Sequence, residues 1–154
     1  MIISMADLVR RPFWEKKTLA EMSASEWESV CDGCGKCCLH KLEEHDTGEV
    51  YYTDVACRLL DTSACRCGDY TARHKLVPDC MSLRQSDPND LYWLPYTCAY
   101  RVLAEGRELE DWHHLISGDV NSIHDAGMSV RGRCISENDV QGIDYEDRII
   151  HWIE

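Results

Sequence analysis

Apolar residues along this chain come in short bursts, and no single amphipathic stretch is long enough to build a core alone. Ser23 followed by Glu26 has the spacing of a reciprocal helix cap, so a short helix is expected to start near Ala24 and carry Trp27 and Val30 inward. Glu49 to Ala56 is rich in Tyr, Thr and Val and predicts a strand leading into Cys57. The stretch from Leu59 to Cys80 is irregular, with one helical turn around Tyr70 to His74. Asp87-Pro88-Asn89-Asp90 is a turn and cap signal, and the best helix follows it, from Leu91 or Pro95 to Glu105, stopped by Gly106. Its Leu94, Cys98 and Val102 lie four apart and share a face. Met128 to Ile135 predicts a second strand, and Asp144 to Trp152 a closing helix with Ile149 and Ile153 toward the core. Residues 1–22 read as an arm docked through Phe13 and Trp14, ahead of one domain over residues 23–154. The expected class is α+β: a small, mostly helical and irregular domain with a few short strands. Elements so short, joined by long irregular stretches, imply a fold held partly by something other than apolar packing, and cysteine-ligated metal does this.

Composition changes the picture in one respect. Apolar residues make up 44%, but they include ten cysteines and one phenylalanine, so bulky apolar weight falls on five Trp and seven Tyr. The net charge is −12, and the longest basic stretch, Arg10-Arg11 with Lys16-Lys17, is too short to displace counterions from a phosphate backbone. Nucleic acid is therefore not an expected partner. No apolar run approaches the roughly 20 residues that span a bilayer, so no membrane partner is expected either. Met1 to Arg11 lacks the pattern of a secretory signal, which makes the cytoplasm the expected compartment. Thiols stay reduced there, and the cysteine count becomes a question of metal or redox chemistry. In a secreted chain the rival reading would be five disulfides.

The densest chemistry is Cys31-x-x-Cys34-x-x-Cys37-Cys38. Two cysteines two residues apart, with Gly35 after the second, form a knuckle whose thiolates grip one ion, a unit used by zinc and iron–sulfur sites alike. A third cysteine at the same interval matches the three-ligand run of ferredoxin-type clusters, but the usual fourth ligand and its Pro are absent. Adjacent side chains diverge, so Cys37 and Cys38 more easily serve two neighbouring metals or one polynuclear cluster than one tetrahedral ion. A cluster of this kind needs remote partners, and Cys57, Cys65, Cys67, Cys80, Cys98 and Cys134 are the candidates. Cys98 competes with a core-packing role, and Cys134 reads as structural. Among the histidines, His113-His114 offers a ligand or proton shuttle set against simple surface exposure, and His40 and His45 lie near the cluster. The acidic run Asp139, Asp144, Glu146, Asp147 reads as a solvated face. Nothing points to a Ser/His/Asp triad, a phosphate-binding glycine loop or a dinucleotide fingerprint.

These residues resemble a family. Cys31-x-x-Cys34-Gly-x-Cys37-Cys38 looks like the signature of the bacterial CxxCxxCC cysteine-cluster family, the zinc- or iron-chelating domain typified by YkgJ. That family's second block reads here as Cys57, then Cys67-Gly-Asp-Tyr70-Thr-Ala-Arg73, then Cys80. The third, Leu94-Pro95-Tyr-Thr-Cys98-Ala-Tyr100-Arg101 with Gly106 and Trp112-His113, looks like the YcgN branch. Two departures stand out: six residues separate Arg73 from Cys80, and the additional Cys65 competes with Cys67 for one ligand position. The resemblance implies a bacterial cytoplasmic protein whose partner is a metal ion or cluster, zinc or iron–sulfur. Cys31, Cys34, Cys37, Cys38, Cys57, Cys67, Cys80 and Cys98 would suffice for two four-ligand sites. A metal- or cluster-dependent enzyme, with His113, His114 and Arg73 near the chemistry, and a thiol redox switch or metal chaperone are the alternative functions.

Overall fold

The computed structural model describes residues 11–77, 91, 93–140, 142 and 144–153. In chain order its elements are α1 (Phe13–Lys16), a 3-10 turn (Leu19–Glu21), α2 (Ala24–Val30), a 3-10 turn (Lys36–Cys38), β1 (Leu39–Glu43), β2 (Val50–Ala56), β3 (Leu60–Asp61), β4 (Arg66–Cys67) and α3 (Arg73–Leu76). There follow α4 (Ala99–Ala104), α5 (His114–Ser117), α6 (Ser122–Asp125), β5 (Ile135–Ser136) and 3-10 turns at Glu137–Asp139 and Tyr145–Arg148. The class is α+β, as expected.

Local chemistry accounts for the element ends. The Ser23 hydroxyl accepts from the Glu26 amide at 3.1 Å, and the Ser23 amide donates to the Glu26 carboxylate at 2.9 Å, so the cap closes reciprocally and α2 starts where the spacing predicted. At the end of α4 the Gly106 amide donates to Leu103 O and the Arg107 amide to Val102 O, with Gly106 at φ +73°. That pair of hydrogen bonds around a left-handed residue is how a helix satisfies its last carbonyls, and glycine takes the conformation without a Cβ penalty.

Two apolar clusters flank the cysteines. One joins α2 to α4 through Trp27, Val30, Tyr100 and Val102, with Leu19, Met22, Leu94 and Leu109; Phe13 and Trp14 pack against it. The rings of Trp27 and Tyr100 lie 4.5 Å apart, and the Tyr100 hydroxyl donates to Trp27 O at 2.8 Å. The second cluster lies on the sheet and gathers Leu39, Tyr52, Ala56, Leu60, Cys65 and Val130. That sheet runs β1-β2-β5, antiparallel between β1 and β2 and parallel between β2 and β5; β3 and β4 form a separate hairpin.

Several expectations need correction. The best helix begins only at Ala99, because Cys98 holds φ −59°, ψ 126° as its cap, so Leu94, though buried, precedes the helix. The predicted strand over Met128 to Ile135 shrinks to Ile135–Ser136, its earlier residues forming turns. The closing helix is absent: Tyr145–Arg148 is one 3-10 turn, after which Ile149 runs extended against Thr53 and the Ile150 amide donates to Tyr52 O. The backbone there gains its partners from β2, which a helix would forfeit. The helical turn expected at Tyr70 to His74 forms slightly later, as α3. The signal at Asp87 to Asp90 and the ligand candidate Cys80 lie outside the described residues. Among the described residues, no helix is long and apolar enough to cross a membrane.

Candidate metal centre

The knuckle is built by turns that only its own sequence permits. Asp32, buried, accepts the Cys34 amide on its side-chain oxygen at 3.1 Å, an Asx turn that folds the chain back between the two cysteines. Gly33 and Gly35 follow at φ +78° and +76°. The Lys36 amide then points at the Cys34 sulfur, 3.5 Å away, and the Gly33 amide favours the Cys31 thiolate in the same manner. Backbone donors aimed at sulfur stabilise a ligating thiolate.

Packing brings the remote cysteines to this loop. Cys31 ends α2 and Cys98 caps the start of α4, so the Trp27–Tyr100 contact that joins the helices also joins the thiols. Burial pushes the Cys31 thiol up to about 12, with Cys37, Asp32 and Cys98 adding to the effect. Burial likewise raises Cys34 and, to about 12, Cys98, against the backbone amides of Arg101 and Tyr100 that favour its thiolate. Cys31, Cys34, Cys37 and Cys98 thus form one electrostatically coupled set around the Asp32 carboxylate.

A second set meets it at Cys38. The Cys57 amide donates to Cys38 O at 2.8 Å where β2 runs out beside β1. The β3–β4 hairpin, pairing Leu60 with Cys67, returns Cys67 to the same place. Cys38 is held well above its ordinary value, first by the hydrogen bond its thiol donates to Cys37, then by burial and by Cys37, Cys57 and Cys67. The same bond, helped by the Lys41 ammonium, lowers Cys37. Cys65 goes elsewhere: at φ +58° in the hairpin, its side chain is buried in the sheet-side core with Ser129 beside it and Cys134 within electrostatic reach. Of the two competitors, Cys67 is the one turned to Cys38.

Among the described residues, no three Cys, His, Asp or Glu side chains converge closely enough to hold an ion as they stand. The donor chemistry nevertheless suits one. Cys31, Cys34 and Cys98 are held protonated by burial and by their neighbours' charge, a state that a soft divalent cation reverses by displacing their protons. An all-sulfur set of four is the set that structural zinc and iron–sulfur clusters take.

The histidines do not join it. His113 is 2% exposed, contrary to the surface position its sequence context suggested. Its Nε2–H donates to Val30 O at 2.7 Å while Nδ1 accepts the Leu115 amide at 3.0 Å, so both ring nitrogens are spent and the ring is neutral. His114 stacks on it and donates to Ser29 O, so the pair ties down the last carbonyls of α2 just ahead of Cys31. His40 faces Glu137, and His45 is exposed beside Asp46. Arg73 stacks on Tyr70. Sequence reasoning missed Asp32, for which the Cys-Asp-Gly-Cys order is an Asx-turn signal, and Lys41, for which there was none.

Comparison with known proteins now decides the family. Residues 30–99 match the family model CxxCxxCC, described as "Putative zinc- or iron-chelating domain". A UPF0260 protein of Cellvibrio japonicus is 57% identical over 146 residues, covering 95% of this chain and 99% of that one. The chain belongs to the UPF0260 family. Further UPF0260 proteins are similar, one of Marinobacter nauticus at 57% identity over 142 residues (92% of this chain, 96% of that one) and one of Rhizobium leguminosarum at 54% over 141 (92% and 88%). No solved structure matches the chain. The UPF0260 chain here therefore carries a domain of the zinc- or iron-chelating class in which the matched segment spans both thiol sets.

Proposed function

We propose that this protein binds metal through two neighbouring sulfur-ligated centres, one formed by Cys31, Cys34, Cys37 and Cys98, the other by Cys38, Cys57, Cys67 and Cys80. What supports this reading is geometry: the Asp32 turn and the Trp27–Tyr100 packing draw Cys31, Cys34 and Cys98 together, while the Cys57 amide bond to Cys38 O and the Leu60–Cys67 pairing draw Cys57 and Cys67 toward Cys38. Each centre takes zinc or iron, as a mononuclear ion or as a cluster, and supplies folding energy when it forms. The protein works in the reducing cytoplasm, where these thiols stay available. An enzymatic role through His113 gains no support, since both its nitrogens are engaged.

The test is elemental analysis with an absorption spectrum on protein purified without oxygen and without a metal-binding tag. Iron with acid-labile sulfide and a broad visible band identifies clusters. Zinc near two equivalents with a featureless visible spectrum identifies structural thiolate sites. Protein that holds neither metal, and takes up none when reduced, overturns the proposal.

A further inference from the structure

Lys41 stands at the junction of the two sets. Lys41 is half-buried, and its ammonium donates to Cys37 O at 3.1 Å and Leu39 O at 2.9 Å. Two aromatic faces close over it, Tyr52 at 5.1 Å and Trp93 at 5.9 Å from the ring centres. The Tyr52 hydroxyl donates to Trp93 O, so the two walls are tied together. Among the described residues no carboxylate pairs with Lys41.

Strand register explains why. Leu39 pairs with Ala56, but Lys41 pairs with Tyr52, the ladder slipping between them. An unbroken antiparallel register would set Lys41 opposite Asp54. Asp54 instead takes the Arg148 guanidinium with both oxygens, at 2.8 and 2.9 Å. A buried ammonium needs a counter-charge, and carbonyl dipoles and ring faces supply only part of one. The thiols beside it supply the nearest candidates for that charge, since the carbonyl Lys41 holds at 3.1 Å is that of Cys37, next to Cys38 in the turn.

We propose that Lys41 is the counter-cation of the sulfur-ligated centres, a positioning residue that holds the Cys37–Cys38 turn by its carbonyl and offsets the negative charge that four thiolates leave on a divalent ion. The inference rests on the metal-binding reading above. Outer-sphere partners of this kind are worth about 10- to 100-fold in metal affinity.

The experiment uses the full chain, reduced and stripped of metal, titrated with cobalt(II) and then with zinc(II) against a chromophoric chelator. Wild type, Lys41→Gln, Lys41→Arg and Cys34→Ser are compared, each first checked for folding by far-UV circular dichroism. Lys41→Gln is expected to weaken zinc binding by about 10- to 100-fold, while Lys41→Arg stays within about threefold of wild type. Equal affinity in Lys41→Gln and wild type, with Cys34→Ser deficient, overturns the role of Lys41 and leaves metal binding intact. An equal loss in Lys41→Gln and Lys41→Arg shows that packing, not charge, is at work, and overturns it too. If wild type itself gives no thiolate-to-cobalt absorption, the metal-binding reading and this inference fall together.

Discussion

At the scale of single residues, the distinction between ligand and filler is the sharpest expectation. Cys34→Ser should lower metal content and destabilise the fold, because a lost ligand is also lost folding energy. Cys134→Ser, beside Cys65 in the sheet-side core, should do neither by elemental analysis and urea denaturation. Cys67→Ser should strip metal from the second set, whereas Cys65→Ser should keep it; the reverse pattern would exchange their roles. His113 makes a pH prediction. Burial holds it below its ordinary value, so the unfolded chain binds a proton that the folded chain resists. Stability is full above the unfolded value, about 6.5, and falls as the pH drops below it. The urea midpoint should drop between pH 7.5 and 5.5, and His113→Gln should show a shallower drop. Nothing in the sequence announced this histidine's burial. Trp112-His113-His114 reads the same whether exposed or capping α2, since the carbonyls it meets lie 83 residues away.

At the scale of elements, what could be read in advance was whatever a few adjacent residues decide. The Ser23–Glu26 cap, the strand into Cys57 and the stop at Gly106 are local, and all three form. Elements settled by distant partners escaped: the segment 144–152 carries apolar spacing compatible with a helix, yet Thr53 and Tyr52 draw it into an extended course. The helix α4 starts later than the spacing suggested because a turn precedes it, the Cys98 amide donating to Pro95 O at 2.9 Å and Cys98 taking a non-helical cap conformation. Within the centre, the cysteines themselves were legible and their division was not, because it depends on β1–β2 pairing and α2–α4 packing together. The knuckle turn can be tested directly. Gly35→Ala would set a Cβ 2.7 Å from Val130 Cγ2 in a left-handed conformation. It should cost roughly 1–3 kcal/mol by urea denaturation and lower metal content. Ser23→Ala, removing only the cap of α2, should cost about 1 kcal/mol and spare the metal.

At the scale of the whole molecule, the two apolar clusters flank the thiol-bearing loop and also meet where the Tyr52 hydroxyl donates to Trp93 O. Chelation of the metal should therefore separate them energetically: a single steep unfolding transition should broaden or split, as followed by tryptophan fluorescence and circular dichroism. A metal-free protein that unfolds as steeply and at the same midpoint would show the clusters to be self-sufficient.

The loop around Val130 has a further bearing on where this molecule can be cut. The matched family segment ends at residue 99, yet the Val130 amide donates to Cys34 O at 2.9 Å and the Trp152 ring covers the buried Lys36 ammonium at 5.4 Å. Segments beyond residue 99 thus touch the Cys34–Lys36 turn at two points. A fragment of residues 30–99 would carry all eight proposed ligand cysteines but neither the Val130 nor the Trp152 contact, so it should be oxidised and digested faster than the full chain.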